Sequence, residues 1–137
     1  MMFRGSMTAL ITPFENGKID FAALERLVEF QIAHGTAALV PCGSTGESAT
    51  LTHDEHIEVV THVVRYAQGR VPVIAGTGSN STAESLALTQ AAKAAGAAAA
   101  LLISPYYNKP TQEGIYHHYS TIATTAQLPL ILSLIHI

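Results

Sequence analysis

Cysteine occurs once in the chain, at Cys42. A single cysteine excludes an internal disulfide framework and fits a reducing compartment. Charge is scarce as well: Asp, Glu, Lys and Arg make up 12% of the residues, and the net charge is −3. With no basic cluster, nucleic-acid binding has no electrostatic footprint. No apolar run approaches the roughly 20 residues that cross a bilayer. The start, Met1-Met2-Phe3-Arg4-Gly5, lacks the apolar segment of a signal peptide. What is present is apolar: 48% of the 137 residues are hydrophobic, enough for a buried core and too many for disorder. The length suits one domain or part of a larger one. The expectation is a soluble cytoplasmic protein with no nucleic-acid or membrane partner.

A strand-helix alternation runs along the chain. Residues 6–11 read as a buried strand ended by Thr12-Pro13. Asp20 is a good N-cap, and Leu24, Leu27, Val28, Gln31 and Ile32 continue at helical spacing until Gly35. Residues 37–42 form a second apolar run. Thr52-His53-Asp54-Glu55 reads as a capping box, with Ile57, Val60, Val63 and Val64 as the apolar stripe and Gly69 as the stop. Residues 71–75 read as strand three. Ser81-Thr82-Ala83-Glu84 reads as another capping box, opening an Ala-rich helix that ends at Gly96. Residues 98–103 read as strand four, 112–126 as a fourth helix after Pro110-Thr111, and 129–134 as strand five. The order β-α-β-α-β-α-β-α-β has a period of about thirty residues, the size of a βαβ unit. Apolar strands joined by helices predict a parallel sheet, either doubly wound or a (β/α)8 barrel. Both architectures put chemistry on the loops after the strands. Those loops carry the unusual sequence: Thr12-Pro13-Phe14, GSTGES (residues 43–48), GTGSNS (76–81) and SPYYNKP (104–110).

GSTGES has glycines that permit a tight turn with N–H groups pointing inward, and hydroxyl donors at Ser44 and Thr45. Its spacing is not that of a P-loop and no lysine follows, so a small carboxylate suits it better than a phosphate. An ordinary Gly-rich turn is the plainer alternative. GTGSNS lacks the third glycine of a dinucleotide loop and is explained as a structural loop that caps the third helix through Ser81. Tyr106 and Tyr107 are adjacent, so both cannot face a core. A phenol there could relay protons or bind a ligand, or one ring packs while the other is exposed. His53 and His56 are three residues apart, whereas a zincin helix spaces its histidines four apart. No metal site is expected. Cys42 reads as a small buried residue. His117 and His118 read as mostly surface positions.

Three segments then act together: Gly43-Ser44-Thr45-Gly46-Glu47-Ser48, Ala75-Gly76-Thr77-Gly78-Ser79-Asn80, and Ser104-Pro105-Tyr106-Tyr107-Asn108-Lys109-Pro110. Their combination closely resembles the dihydrodipicolinate synthase branch of the pyruvate-dependent class I aldolases, the family shared with N-acetylneuraminate lyase. GSTGE marks the wider family. Ser48-Ala49-Thr50-Leu51 and His53-Asp54-Glu55-His56 favour the synthase branch. The resemblance runs from Phe3 to about Leu132. It implies a parallel (β/α)8 TIM barrel and a lysine that forms a Schiff base with pyruvate. The enamine then attacks aspartate semialdehyde on the route to lysine and diaminopimelate, with no cofactor. Thr45 and nearby backbone N–H groups would hold the pyruvate carboxylate. Ser44 stands where the family has a relay threonine and keeps the hydroxyl. Tyr107 matches a relay tyrosine that reaches into a neighbouring subunit, in a tetramer built from tight dimers. L-Lysine inhibits many members at the dimer interface. The matching positions here are Ser48, Ala49, His53, His56, Gly78, Asn80, Glu84 and Tyr106.

The end departs from that pattern. The family strand closes on a tyrosine, with an arginine soon after for the second substrate. Here the chain reads Leu130-Ile131-Leu132-Ser133-Leu134-Ile135-His136-Ile137. Ser133 replaces the tyrosine, and neither the arginine nor the Schiff-base lysine is present. Lys18, Lys93 and Lys109 do not end buried strands, where desolvation would free an amine. Residues 1–132 are therefore expected to be the N-terminal half of a TIM barrel, about four and a half βα units. Residues 133–137 are expected to be a departing tail, either foreign sequence from an artefactual join or the end of a genuine short protein. The chain as given is expected to be inactive. With an open strand edge it should aggregate, swap or stay partly molten unless two copies complete each other. Two rival readings stand beside the synthase: another pyruvate aldolase such as N-acetylneuraminate lyase, and a non-catalytic lysine-binding half-barrel.

Overall fold

The computed structural model describes residues 3–133. Strand β1 (Met7–Ala9) is shorter than expected, and a small hairpin follows it, β2 (Phe14–Glu15) and β3 (Lys18–Ile19). Its turn, Asn16-Gly17, has φ of 51° and 75° at the two positions, the left-handed pair that a two-residue hairpin turn requires. Helix α1 (Phe21–Ala33) starts where Asp20 accepts the Ala23 N–H at 2.9 Å and buries Leu24 and Val28. Each such fully buried aliphatic side chain contributes roughly 1.5–3 kcal/mol. Strand β4 (Ala38–Val40) leads into two 3-10 turns, Ser44–Gly46 and Ser48–Thr50.

Helix α2 (His53–Ala67) has both halves of its capping box, with Thr52 receiving Glu55 N–H and Glu55 receiving Thr52 N–H. Its buried face is His56, Val59, Val60, Val63 and Ala67. The expected stripe was therefore set off: Ile57 is exposed and Val64 only half-buried, because the helix rolls toward β4 and β5. Strand β5 (Ile74–Gly76) precedes helix α3 (Thr82–Ala95), which ends at Gly96 in the left-handed region. Only half of the second capping box forms. Ser81 accepts Glu84 N–H, but the Glu84 carboxylate turns to Ser79 and His53 instead. Strand β6 (Ala99–Ile103), helix α4 (Gln112–Ala126) and strand β7 (Leu130–Ser133) complete the described chain. Within α4, His118 is buried rather than exposed, with Nδ1 2.9 Å from Thr82 Oγ1 on α3. Ser133 continues the β7 ladder opposite Ile103, and residues 134–137 lie outside the described residues.

The long strands pair in parallel as β1–β4 and β5–β6–β7, and an isolated Leu39–Val73 bridge joins the two groups. The spatial order β1-β4-β5-β6-β7 thus repeats the chain order. A doubly wound sheet would reverse at a switch point. Successive helices also touch in order, α1 to α2, α2 to α3 and α3 to α4. Alternate strand residues serve two faces. Leu39, Val73 and Ala75 join Leu24, Val28, Val59 and Val63 in the helix-side core. Ala38, Val40, Ile74 and Ala99 face the other way with Leu101 and Ile131. Strand C-terminal ends carry the long loops, and the turns after helices are short, as the sequence pattern predicts.

Candidate functional site

The GSTGES loop sits at the C-terminal end of β4, and its shape comes from three local features. Cys42 and Glu47 both take left-handed backbone, φ 56° and 57°, which turns the chain sharply at each end. Between them Gly46 N–H donates to Gly43 O and Glu47 N–H to Ser44 O. The N–H groups of Ser44 and Thr45, at the start of the turn, take no partner among the described residues. Thr12, at the end of β1, donates its hydroxyl to Gly46 O at 2.7 Å. The loop borders a small cavity of about 200 Å³ on the strand face away from the helices, with Ser44, Thr45, Gly76, Gly78, Ile103 and Ser133 in its wall.

Gly76 and Gly78 are in that wall because the chains approach closely. A Cβ at Gly76 would lie 2.2 Å from Cys42 O, and one at Gly78 would lie 2.7 Å from Ile103 N. The rest of GTGSNS is held by buried hydroxyls: Thr77 Oγ1 meets Thr89 Oγ1 at 2.8 Å, and Ser85 Oγ donates to Thr77 O at 2.7 Å. This is the structural role expected of that loop.

A larger cleft of about 500 Å³ adjoins the first and shares Ser44, Ser48, Gly78 and Ile103 with it. Ser48, Ala49, His53, His56, Gly78, Glu84 and Tyr106, from four separate segments, line it together. Asn80 is the exception among the positions matched to the lysine site. Its amide donates to Asn108 Oδ1 at 3.3 Å, and Asn108 donates back to Asn80 O at 2.9 Å. Glu84 accepts from Ser79 and pairs with His53. The Ser79 hydroxyl and then His53 hold its carboxyl below the usual range. His56 is buried, and its Nε2 donates to Gly76 O at 2.7 Å. Burial lowers its pKa against the smaller opposing effect of that hydrogen bond, so the neutral ring is favoured. His56 thereby ties the large cleft to the strand end that walls the small one.

Tyr107 lines neither cavity. It is 94% exposed with φ 70°, so the chain by itself does not bring it to Ser44. Cys42 is buried, as expected, and its Sγ lies 3.7 Å from His56 O. Burial pushes its thiol up to about 12, which leaves it a poor nucleophile. No lysine lines either cavity. Lys93 instead donates to Ala126 O at 2.9 Å. Among the described residues no group of three or more His, Cys, Asp and Glu could hold a metal ion, and no helix is long and apolar enough to cross a membrane. Sequence reasoning missed Thr12 and Ser79. Thr12 stands in a loop singled out as unusual, but nothing local in Thr-Pro-Phe says which carbonyl its hydroxyl meets. Ser79 lies in a motif where only Ser81, as a cap, and Gly78 and Asn80, by resemblance, receive a role.

The description of the dihydrodipicolinate synthetase family matches residues 2–135. The 4-hydroxy-tetrahydrodipicolinate synthase of Geobacter metallireducens is 59% identical over 131 residues, which is 96% of this chain and 45% of the relative. The dihydrodipicolinate synthase of Acinetobacter baumannii, solved in complex with pyruvate, superposes with a TM-score of 0.93 at 52% identity, covering 96% of this chain and 45% of that one. The enzyme of Cyanidioschyzon merolae, solved with lysine bound, gives a TM-score of 0.91 at 39% identity, covering 96% of this chain and 45% of that one. The chain spans about half the length of the curated relatives it matches. On the extent of these matches and the strand-end loops that carry them, the chain belongs to the dihydrodipicolinate synthetase family.

Proposed function

We propose that residues 1–132 are the N-terminal half of a (β/α)8 barrel whose whole performs the 4-hydroxy-tetrahydrodipicolinate synthase reaction, condensing pyruvate with aspartate semialdehyde. The observation that carries this reading is the small strand-end cavity with two hydroxyls and two N–H donors, Ser44 and Thr45, at its rim. Such a set of donors suits a carboxylate. Pyruvate would place its carboxylate on the Thr45 hydroxyl and the turn's N–H groups. Its ketone carbon would then face the barrel axis, where the amine of a strand-end lysine adds and water leaves. The Ser44 hydroxyl would pass a proton to the oxygen on that carbon as it leaves as water. No lysine of this chain lines the cavity, so the nucleophile belongs to the barrel's other half and the chain alone is inactive. The family match reaches residue 135 and Ser133 stays in the β7 ladder, so the departure would lie in the side chains, with Ser133 where the family strand has a tyrosine. In the whole protein, Tyr107 would complete the relay in a neighbouring subunit of a tetramer, which accounts for its exposure here.

A second role attaches to the larger cleft. L-Lysine suits it, with its amino group toward Glu84 and its carboxylate toward Tyr106. The Cyanidioschyzon relative is solved with lysine bound, which supports carrying this ligand over. The cleft is assembled wholly from described residues, so it also favours a reading of the isolated chain as a lysine-binding half-barrel without catalysis.

The test joins this chain to the C-terminal part of the Geobacter relative. Borohydride should trap pyruvate on the chimera and not on the isolated chain, and the chimera should consume aspartate semialdehyde. A folded chimera that traps no pyruvate would remove the enzyme reading. Trapping on the isolated chain would remove the claim that it lacks the nucleophile.

A further inference from the structure

Thr12 has no part in the reading above, yet it is 4% exposed and spends its hydroxyl on the backbone of the carboxylate loop. The bond spans 34 residues of sequence and measures 2.7 Å between Oγ1 and Gly46 O. It is the partner the structure gives that carbonyl. The surroundings are tight. A Cβ at Gly46 would sit 3.0 Å from Leu10 O and 3.4 Å from Thr12 Oγ1, so the turn lies directly on the end of β1. That end is itself anchored: Leu10 N–H donates to Val40 O at 3.0 Å, and Pro13 O receives Asp20 N–H at 2.8 Å. Thr12 thus projects from a fixed base between a strand ladder and a hairpin.

The turn needs such an anchor. Glu47, the residue after Gly46, holds φ 57° and ψ 34°, a region that a side chain with a Cβ disfavours. The peptide joining Gly46 to Glu47 is the one whose oxygen Thr12 fixes. If that peptide rotates, Glu47 can relax and the first turn, Ser44–Gly46, loses its closing bond from Glu47 N–H to Ser44 O. The N–H groups of Ser44 and Thr45 would then lose their shared direction.

We propose that Thr12 is a positioning residue for the carboxylate-binding turn: its buried hydroxyl holds the Gly46 carbonyl and thereby keeps the Ser44 and Thr45 donors aimed at the small cavity. The inference rests on the reading of that cavity as a carboxylate site. Removing the hydroxyl leaves a buried acceptor unsatisfied at the pivot of the turn, while Thr12 itself is not among the residues that line the small cavity.

The experiment compares the 137-residue chain with Thr12→Val and Thr12→Ser by calorimetry with pyruvate and by amide hydrogen exchange. Thr12→Val is expected to weaken pyruvate about tenfold, the equivalent of one buried hydrogen bond. It should also speed exchange at residues 44–48 while α1 to α4 keep their protection. Thr12→Ser, which retains the hydroxyl, should restore both. Binding by the Val variant within twofold of wild type, or failure of Ser to rescue, overturns the role of Thr12. No binding by the wild type overturns the carboxylate reading instead, so the two failures are distinct. If Thr12→Val loses its helical circular dichroism, Thr12→Ala, with no branched methyl to misplace, carries the same comparison.

Discussion

Gly76 and Gly43 both look like loop glycines in the sequence, yet they carry different constraints, and Gly76 is the last residue of β5. Gly76 is pressed against the backbone at the end of β4, where an added Cβ would meet Cys42 O at 2.2 Å. Gly43 has nothing within 4 Å of such an atom, and its φ of −78° is open to any residue. Gly76→Ala should therefore destabilise the fold by about 2–3 kcal/mol through overpacking. Gly43→Ala should stay within about 0.5 kcal/mol. Urea unfolding of the two variants measures the difference, and equal midpoints would show that β4 and β5 yield more readily than their spacing implies. His56 makes a related point. Its place in the sequence suggested a ligand contact. The structure adds a second job, a bond from its ring to Gly76 O that no spacing rule predicts.

At the scale of elements, His56 ties α2 to β5 through Gly76 O and His118 ties α4 to α3 through Thr82, and both contacts depend on pH. His56 on α2 and His118 on α4 both have pKa values below the ordinary 6.5, because burial disfavours their cations. The unfolded chain takes up protons on these rings near pH 6.5, while the folded chain resists until lower pH. Stability from this source is complete above 6.5 and falls as pH drops below it. Glu55, lowered by its hydrogen bonds with Thr52, and Glu84, lowered by Ser79 and His53, act in a separate window. Their contribution is present above 4.5 and is lost as pH falls further. Between about pH 7.5 and 5.5 the unfolding free energy should fall, with both histidines contributing in that direction. A His56→Gln, His118→Gln double variant should show a flatter profile over that range. Parallel profiles would mean that both rings protonate freely in the folded state. The capping pattern was legible at this scale. Asp20, Thr52 and Ser81 cap where the sequence places them, because a cap is settled by atoms three residues apart.

The whole molecule is a set of parallel strands laid down in chain order, with β1 at one edge and β7 at the other among the described residues. Their open ladders and a half-covered apolar face, including Met7 at 43% exposure and Leu132 at 45%, favour pairing with another chain. The isolated chain is expected to associate in a concentration-dependent way in sedimentation velocity. Joining it to the C-terminal part of a relative should suppress this. A monodisperse monomer at high concentration would show that the edges are better protected than the exposed ladders suggest.

The local chemistry of the sequence determined the alternation of strands and helices, their caps and the strand-end loops that carry the candidate site. Each of these depends on hydrogen bonds and side-chain spacing within a few residues. The motif combination, read as a resemblance, also named seven residues that meet in the larger cleft, with Asn80 outside it, while Glu47, Thr50, Leu51, Leu88 and Ile103 line it unannounced. Tertiary structure decided the rest. The phase of α2 put Val59 inside and Ile57 outside while Val60 and Val63 stayed buried, because a modest roll shifts the edge of the stripe that meets the sheet. His118 is buried because α3 supplies Thr82, and Glu84 leaves its cap because Ser79 and His53 are closer partners. Thr12 meets Gly46 only because β1 and β4 are neighbours in the sheet. These contacts join residues far apart in the chain, so their energies exist only once the packing has brought them together.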